Sequence, residues 1–164
     1  MNLTIIILSI LVIIAIIITL IIKNKYEKDK FKISIKESLD LTSLPIITFV
    51  SGDKKLNFLL DTGSNSSHID STVLKSNNIE YTITDNANTV IGLEGRERKV
   101  ESCILTVKYK ETYFTDEFCV TDLSGAFDAI KSTYGVQIHG IIGSEFFQKY
   151  QYVIDFKKLM CYIK

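Results

Sequence analysis

Phe58-Leu59-Leu60-Asp61-Thr62-Gly63-Ser64 is the segment whose residue types are arranged for chemistry. An apolar strand runs into an acid, a hydroxyl residue and a glycine. A carboxylate at the end of a buried strand is costly unless it is hydrogen-bonded or has a task such as proton transfer. Gly63 lets the backbone turn sharply and approach the carboxylate closely. Thr62 and Ser64 bring hydroxyls able to orient the acid. Asp-Thr-Gly is also an ordinary turn, and average residue usage produces it by chance in about a few per cent of chains this long. The tripeptide therefore gains weight only from its surroundings.

Those surroundings read as β structure. Pro45 to Val50 is a strand, Ser51-Gly52-Asp53-Lys54 a turn, and Lys55 to Leu60 a second strand, with Gly-Asp as the hairpin signal. Further strands are expected at Tyr81–Thr84, Thr89–Gly92, Lys99–Tyr109 and Thr112–Thr121. A terminal hairpin follows from Tyr152–Phe156 and Leu159–Ile163, joined at Lys157-Lys158. Short helices are expected at Asp70–Asn77 and Ser144–Tyr150, the second with Ser144 as its N-cap. Phe31, Ile33 and Ile35 alternate as a first strand would. Short, regularly spaced strands describe a small all-β fold.

The chain has 164 residues and no net formal charge, which gives no reason to expect a nucleic-acid partner. Leu3 to Ile22 holds no charge, Pro or Gly and is long enough for a membrane-spanning helix. It exceeds a signal-peptide core, no Lys or Arg precedes it, and no small-residue cleavage site follows it. The expected organisation is an anchor at 1–22, a juxtamembrane linker at 23–40 and a folded domain at 41–164. Lys23, Lys25, Lys28, Lys30 and Lys32 follow the apolar run, which favours a single pass of the cell membrane with the domain in the cytoplasm. Cys103, Cys119 and Cys161 are odd in number and lack CxxC spacing, so neither a disulfide framework nor a metal site is expected. His68 and His139 read as turn or surface residues. Asp122 and Asp128 read as solvated loop acids, and Asp155 as structural.

Leu44-Pro45 through Ile69 resembles the first half of a retropepsin-like aspartic protease lobe, the retroviral, single-lobe type. Gly140-Ile141-Ile142-Gly143 with the helix after it resembles the motif that packs behind the catalytic loop. Val153-Ile154-Asp155-Phe156 resembles the closing hairpin of bacterial members. Thr89 to Gly95 stands where the family has its flap, a glycine-tipped hairpin over the substrate. Glu94 and Arg96 near its tip depart from the glycine-rich viral flaps. The resemblance covers about residues 44–164 and implies a closed, barrel-like β lobe with one short C-terminal helix. It implies Asp61 as the catalytic residue, with Thr62, Gly63 and Ser64 supporting its loop. Ile91, Gly92, Leu93, Glu94 and Gly95 would meet the substrate, and Ile141, Ile142 and Gly143 would pack behind the site. In the family the threonine matching Thr62 braces the dimer, and the serine matching Ser64 hydrogen-bonds the carboxylate. That bond would favour a mildly acidic optimum. A single Asp-Thr-Gly implies a homodimer acting on a protein or peptide substrate, with no cofactor. The rival from another class is a catalytically silent dimerisation or binding module of the same shape at the membrane.

Overall fold

The computed structural model describes residues 3–30, 32–76, 79–91 and 97–163. Helix α1 (Leu3–Lys30) comes first. Its span Ile6–Lys23 has a mean hydropathy of 3.2 and is long and apolar enough to cross a membrane. Ile7, Leu8, Leu11, Ile14, Ile18 and Ile21 are all exposed, so the helix is apolar all round and presents no single face to a protein core.

After α1 come β1 (Ile33–Ser34), α2 (Lys36–Thr42), β2 (Ile46–Ser51), β3 (Lys54–Leu60), β4 (Ser67–Asp70) and α3 (Ser71–Ser76). They are followed by β5 (Tyr81–Ile91), β6 (Glu97–Tyr109), β7 (Thr112–Thr121) and α4 (Ser124–Tyr134). The chain ends with β8 (Gly140–Ile142), α5 (Ser144–Lys149), β9 (Tyr152–Asp155) and β10 (Met160–Ile163). Ile33 and Ile35, within the stretch read as linker, lie in the hydrophobic core.

A seven-stranded sheet runs β2-β3-β8-β4-β7-β6-β5, and a three-stranded sheet runs β1-β10-β9. The larger sheet curls until β2 meets β6, at the pair Val50 and Lys108. The fold is mostly β as expected; β2 and β6 meet through this one ladder pair and through Ser51 Oγ, which donates to the Thr106 carbonyl at 3.1 Å, short of the fully closed barrel of the sequence reading. At the β2–β3 hairpin Gly52 takes φ +59°, a backbone that costs glycine nothing.

Alternation along the strands builds the core. Leu56, Phe58 and Leu60 of β3, Ile47 and Phe49 of β2, and Cys103, Leu105 and Val107 of β6 are buried. Phe49 lies 5.4 Å from Phe114 and 6.3 Å from Phe146, ring centre to ring centre. Phe58 lies 5.8 Å from Phe118. These tilted aromatic pairs tie β2, β3 and β7 to α5.

Two helices replace expected irregular chain. In α4, Phe127 packs with Ile46 and Ile138, and Leu123 and Ile130 lie against them. In α2, Leu39 packs on the main core and Thr42 is buried. Tyr81–Thr84 and Thr89–Gly92, expected as two strands, are one strand as far as Ile91, with a register irregularity between Thr84 and Asn88, and Gly92 lies outside the described residues.

All three cysteines are buried and none forms a disulfide. Burial pushes the Cys103 thiol up to about 11 and the Cys161 thiol up to about 12, so the reactive thiolate is scarce at neutral pH. The native protein at pH 8 is expected to resist iodoacetamide, while the urea-unfolded chain takes three labels. Rapid labelling of the native state, read by intact mass, would contradict this packing.

Candidate active site

β3 delivers Asp61 to the rim of the core. Leu60 is buried, Asp61 is half-buried, and Thr62 and Gly63 are exposed. The Asp61 N–H donates to the Ile142 carbonyl at 3.0 Å, extending the parallel pairing of β3 with β8 by one more bond. The chain then turns, and the Gly63 N–H donates to Asp61 Oδ1 at 2.8 Å. A Cβ on Gly63 would stand 3.2 Å from that oxygen, so glycine serves the close approach of backbone to carboxylate.

Ser64 departs from expectation. Its Oγ donates to the Ser66 carbonyl at 2.8 Å and so braces the loop internally. The hydroxyl is spent on backbone and not on the Asp61 carboxylate, which removes the ground on which a mildly acidic optimum was expected.

The loop is held from behind by the start of α5. The N–H groups of Ser144 and Glu145 donate to the Ser64 and Asn65 carbonyls at 2.8 and 3.0 Å. Helix N-termini carry unpaired N–H groups, and here the carbonyls of the Asp61 loop take two of them. Ser144 is therefore not the expected N-cap. Gly143 holds that position, and Ser144 Oγ donates to the Ser64 carbonyl at 3.1 Å. A Cβ on Gly143 would lie 2.3 Å from the Ser66 carbonyl oxygen, and one on Gly140 would lie 2.3 Å from the His68 carbonyl oxygen. Ile141 pairs with Leu59 on one side and with His68 on the other. Ile141, Ile142 and Gly143 thus come together behind Asp61.

In front of the loop, Thr89 and Val90 of β5 join Gly63, Ser64, Asn65 and Ser66 around a hollow of about 390 Å³. Ile91 closes β5 opposite Glu97. Gly92, Leu93, Glu94 and Gly95, expected at the flap tip, lie outside the described residues, as does Arg96.

Both histidines contradict the surface reading. His68 is buried in the centre of the sheet, and His139 is half-buried with Nδ1 accepting the Asn57 N–H at 2.9 Å. Asp70, a residue given no role from sequence, is also buried. Its carboxylate accepts from Thr72 N–H at 2.8 Å, Thr72 Oγ at 2.5 Å and Leu123 N–H at 2.9 Å. The Asp-Ser-Thr run opening α3 is the available sequence signal, an acid placed to cap a helix start. Asp122 is an exposed loop acid as expected, engaged by Ser124 N–H and Oγ. Asp155 accepts from Lys158 N–H and Nζ and fixes the last turn. Among the described residues, no cluster of His, Cys, Asp and Glu is arranged to hold a metal ion.

A family model for aspartyl proteases matches residues 47–146, from β2 into α5 and including Asp61. The chain belongs to the aspartyl protease family. Among solved structures, EIAV protease complexed with an inhibitor is similar at 20% identity, over 65% of this chain and 86% of that one, with a TM-score of 0.47. No curated protein matches.

Two outcomes follow from this geometry. Gly143→Ala is expected to cost about 3 kcal/mol in urea unfolding, because all three clashing atoms, in Ser66 and Asn65, are backbone and none can swing away. Gly125→Ala, where a Cβ meets nothing within 4 Å, is the matched control with no loss. The other outcome concerns acid. Burial holds both imidazoles below the usual histidine range, against smaller upward pulls from Asp61 on His68, and from the Asn57 backbone and Asp70 on His139. The unfolded chain therefore binds protons first as pH falls below about 6.5. The stabilisation is complete above that pH and is lost as pH falls through the folded-state values. The urea midpoint should drop between pH 7.5 and 5.5, and drop less in His68→Val. A pH-independent midpoint would rule this out.

Proposed function

We propose that this aspartic protease is an endopeptidase working as a homodimer, with one Asp61 from each copy forming a single site. The observation carrying this reading is Asp61 itself: half-buried, turned out of β3 by a glycine, and held on a loop that β8 and α5 brace from behind. Among the described residues, its Oδ1 accepts the Gly63 N–H. The chain contains one Asp-Thr-Gly, so one lobe supplies one carboxylate.

Two carboxylates brought close together cannot both ionise cheaply, and the pair retains one proton between them. The ionised member removes a proton from a water that attacks the scissile carbonyl. The protonated member donates to the carbonyl oxygen, and collapse of the tetrahedral intermediate transfers a proton to the leaving amine. Water is divided between the new carboxyl and amine ends, and the pair returns to its starting state. Thr62, exposed at the loop tip, is placed to brace against the second copy. The β5–β6 hairpin, with Thr89 and Val90 already facing the loop, is the flap, and residues 91–95 close over substrate. β9 is an edge strand of the three-stranded sheet, with a backbone row suited to a second copy.

α1 is the anchor in this proposal, with the catalytic lobe on the cytoplasmic side by the lysine bias after residue 22. Holding two copies in one bilayer raises their effective concentration and favours pairing.

The test incubates the full chain in detergent micelles with a denatured protein mixture from pH 4 to 8. New peptide ends are counted by mass spectrometry. Asp61→Asn is expected to lower cleavage by about a thousandfold or more. The native rate should be bell-shaped in pH, falling when the pair gains its second proton and again when it loses its last. Silence from a folded, dimeric native protein would favour a non-catalytic module. Equal cleavage by both proteins would remove Asp61 from the mechanism.

A further inference from the structure

His68 is buried close enough to Asp61 to feel its charge, and the mechanism above does not use it. β4 holds it between β7 and β8, level with Cys119 on one side and Ile141 on the other. Its Nδ1 lies 3.4 Å from Thr121 Oγ, which steadies the ring and leaves Nε2 as its second polar atom.

The ring borders two hollows. One is the space in front of Gly63–Ser66, which also holds Glu145. The other, of about 360 Å³, is walled by Val90, Val100, Leu123 and Ile141, with Arg98, Thr121 and Asp122 supplying polar groups. His68 and Val90 belong to both and so form the partition between them. A peptide lying along Gly63–Ser66 in the first hollow, next to the Asp61 loop, has the second within reach of a neighbouring side chain.

Resting on the protease reading, we propose that His68 is a specificity-determining residue, and that with Arg98 it forms the polar end of a subsite for a side chain with a short apolar stem and a terminal carbonyl or carboxylate oxygen, glutamine or glutamate. The hydrocarbon walls suit the stem. Imidazole and guanidinium supply donors for the oxygen, and a donor left facing an apolar side chain is the penalty that creates discrimination. The charged groups around His68 are Asp61 on the loop after β3, Arg98 on β6, Asp122 after β7 and Glu145 on α5. Asp122 is already engaged by Ser124. Arg98 brings a positive charge and Asp122 a negative one to the same hollow.

The test profiles cleavage sites of the full chain in detergent micelles against a peptide library at pH 5 and pH 7, beside His68→Val, His68→Asn and Asp61→Asn. The native protein is expected to enrich glutamine or glutamate at one position flanking the cut at both pH values. His68→Val should lower that preference over leucine and valine about tenfold, through kcat/KM for the polar peptides. His68→Asn, which keeps a polar edge, should retain it. An unchanged preference in His68→Val, an apolar preference in the native protein, or equal loss in both variants would overturn the proposal. Cleavage indifferent to Asp61→Asn would instead overturn the protease reading, and the subsite with it.

Discussion

Two carbonyls of the Asp61 loop, those of Ser64 and Asn65, accept the first N–H groups of α5. Much of the rest is arranged around that contact. A loop leaving a strand end would otherwise present its carbonyls to solvent and sample many shapes. Here the helix needs acceptors at its start and the loop needs donors, so each satisfies the other. The contact demands that β8 and α5 approach within a distance that no Cβ at Gly143 permits. It also requires β8 to lie between β3 and β4, parallel to one and antiparallel to the other. The aromatic packing of Phe146 against Phe49 and Phe114 then holds α5 on the core. Burial energy in the lobe is thereby converted into a fixed position for one carboxylate.

The same constraint explains which parts of the site were legible in the sequence. Phe58 to Gly63 and Gly140 to Gly143 could be read because each glycine is there for a backbone approach, and each approach leaves a fixed residue type at a fixed spacing. Ser64 and Ser144 were read as hydroxyls facing the carboxylate and a helix N–H, yet both donate to loop carbonyls. A hydroxyl rotor accepts or donates equally well, and composition does not choose its partner. His68 was misread because a histidine between two serines and an isoleucine carries the same local signal on a surface turn as in the centre of a sheet. Its burial depends on β7 arriving beside it, some fifty residues later in the chain.

The helices make the complementary point. Leu123, Phe127 and Ile130 have spacings of four and three, the mark of a helix face, but a glycine and several polar residues dilute it over a short run. Ile35, Leu39 and Thr42 follow the same spacing in a stretch whose lysines and acids suggest linker. In both, the tertiary contact with β2 and its neighbours supplies what local propensity lacks. The β5–β6 hairpin was read correctly as strand, but its two predicted pieces are joined across a register irregularity, a feature that residue types near Asp85 to Asn88 do not announce.

On the proposed reading the lobe is complete as a fold and half complete as a catalyst. Its core closes without help, its carboxylate is oriented by its own backbone, and its loop is braced by its own helix. On that reading it lacks a second acid to share a proton; among the described residues Asp70 is engaged by Thr72 and Leu123 and Asp122 by Ser124. On the proposed reading, activity is then a property of encounter between copies and not of folding. An apolar helix of membrane-spanning length attached directly before the lobe is a means of controlling that encounter. As the proposed anchor it would confine copies to a surface, where pairing responds to their density. A soluble lobe with the same Asp61 geometry would have to find its partner in three dimensions, at a concentration set by dilution alone.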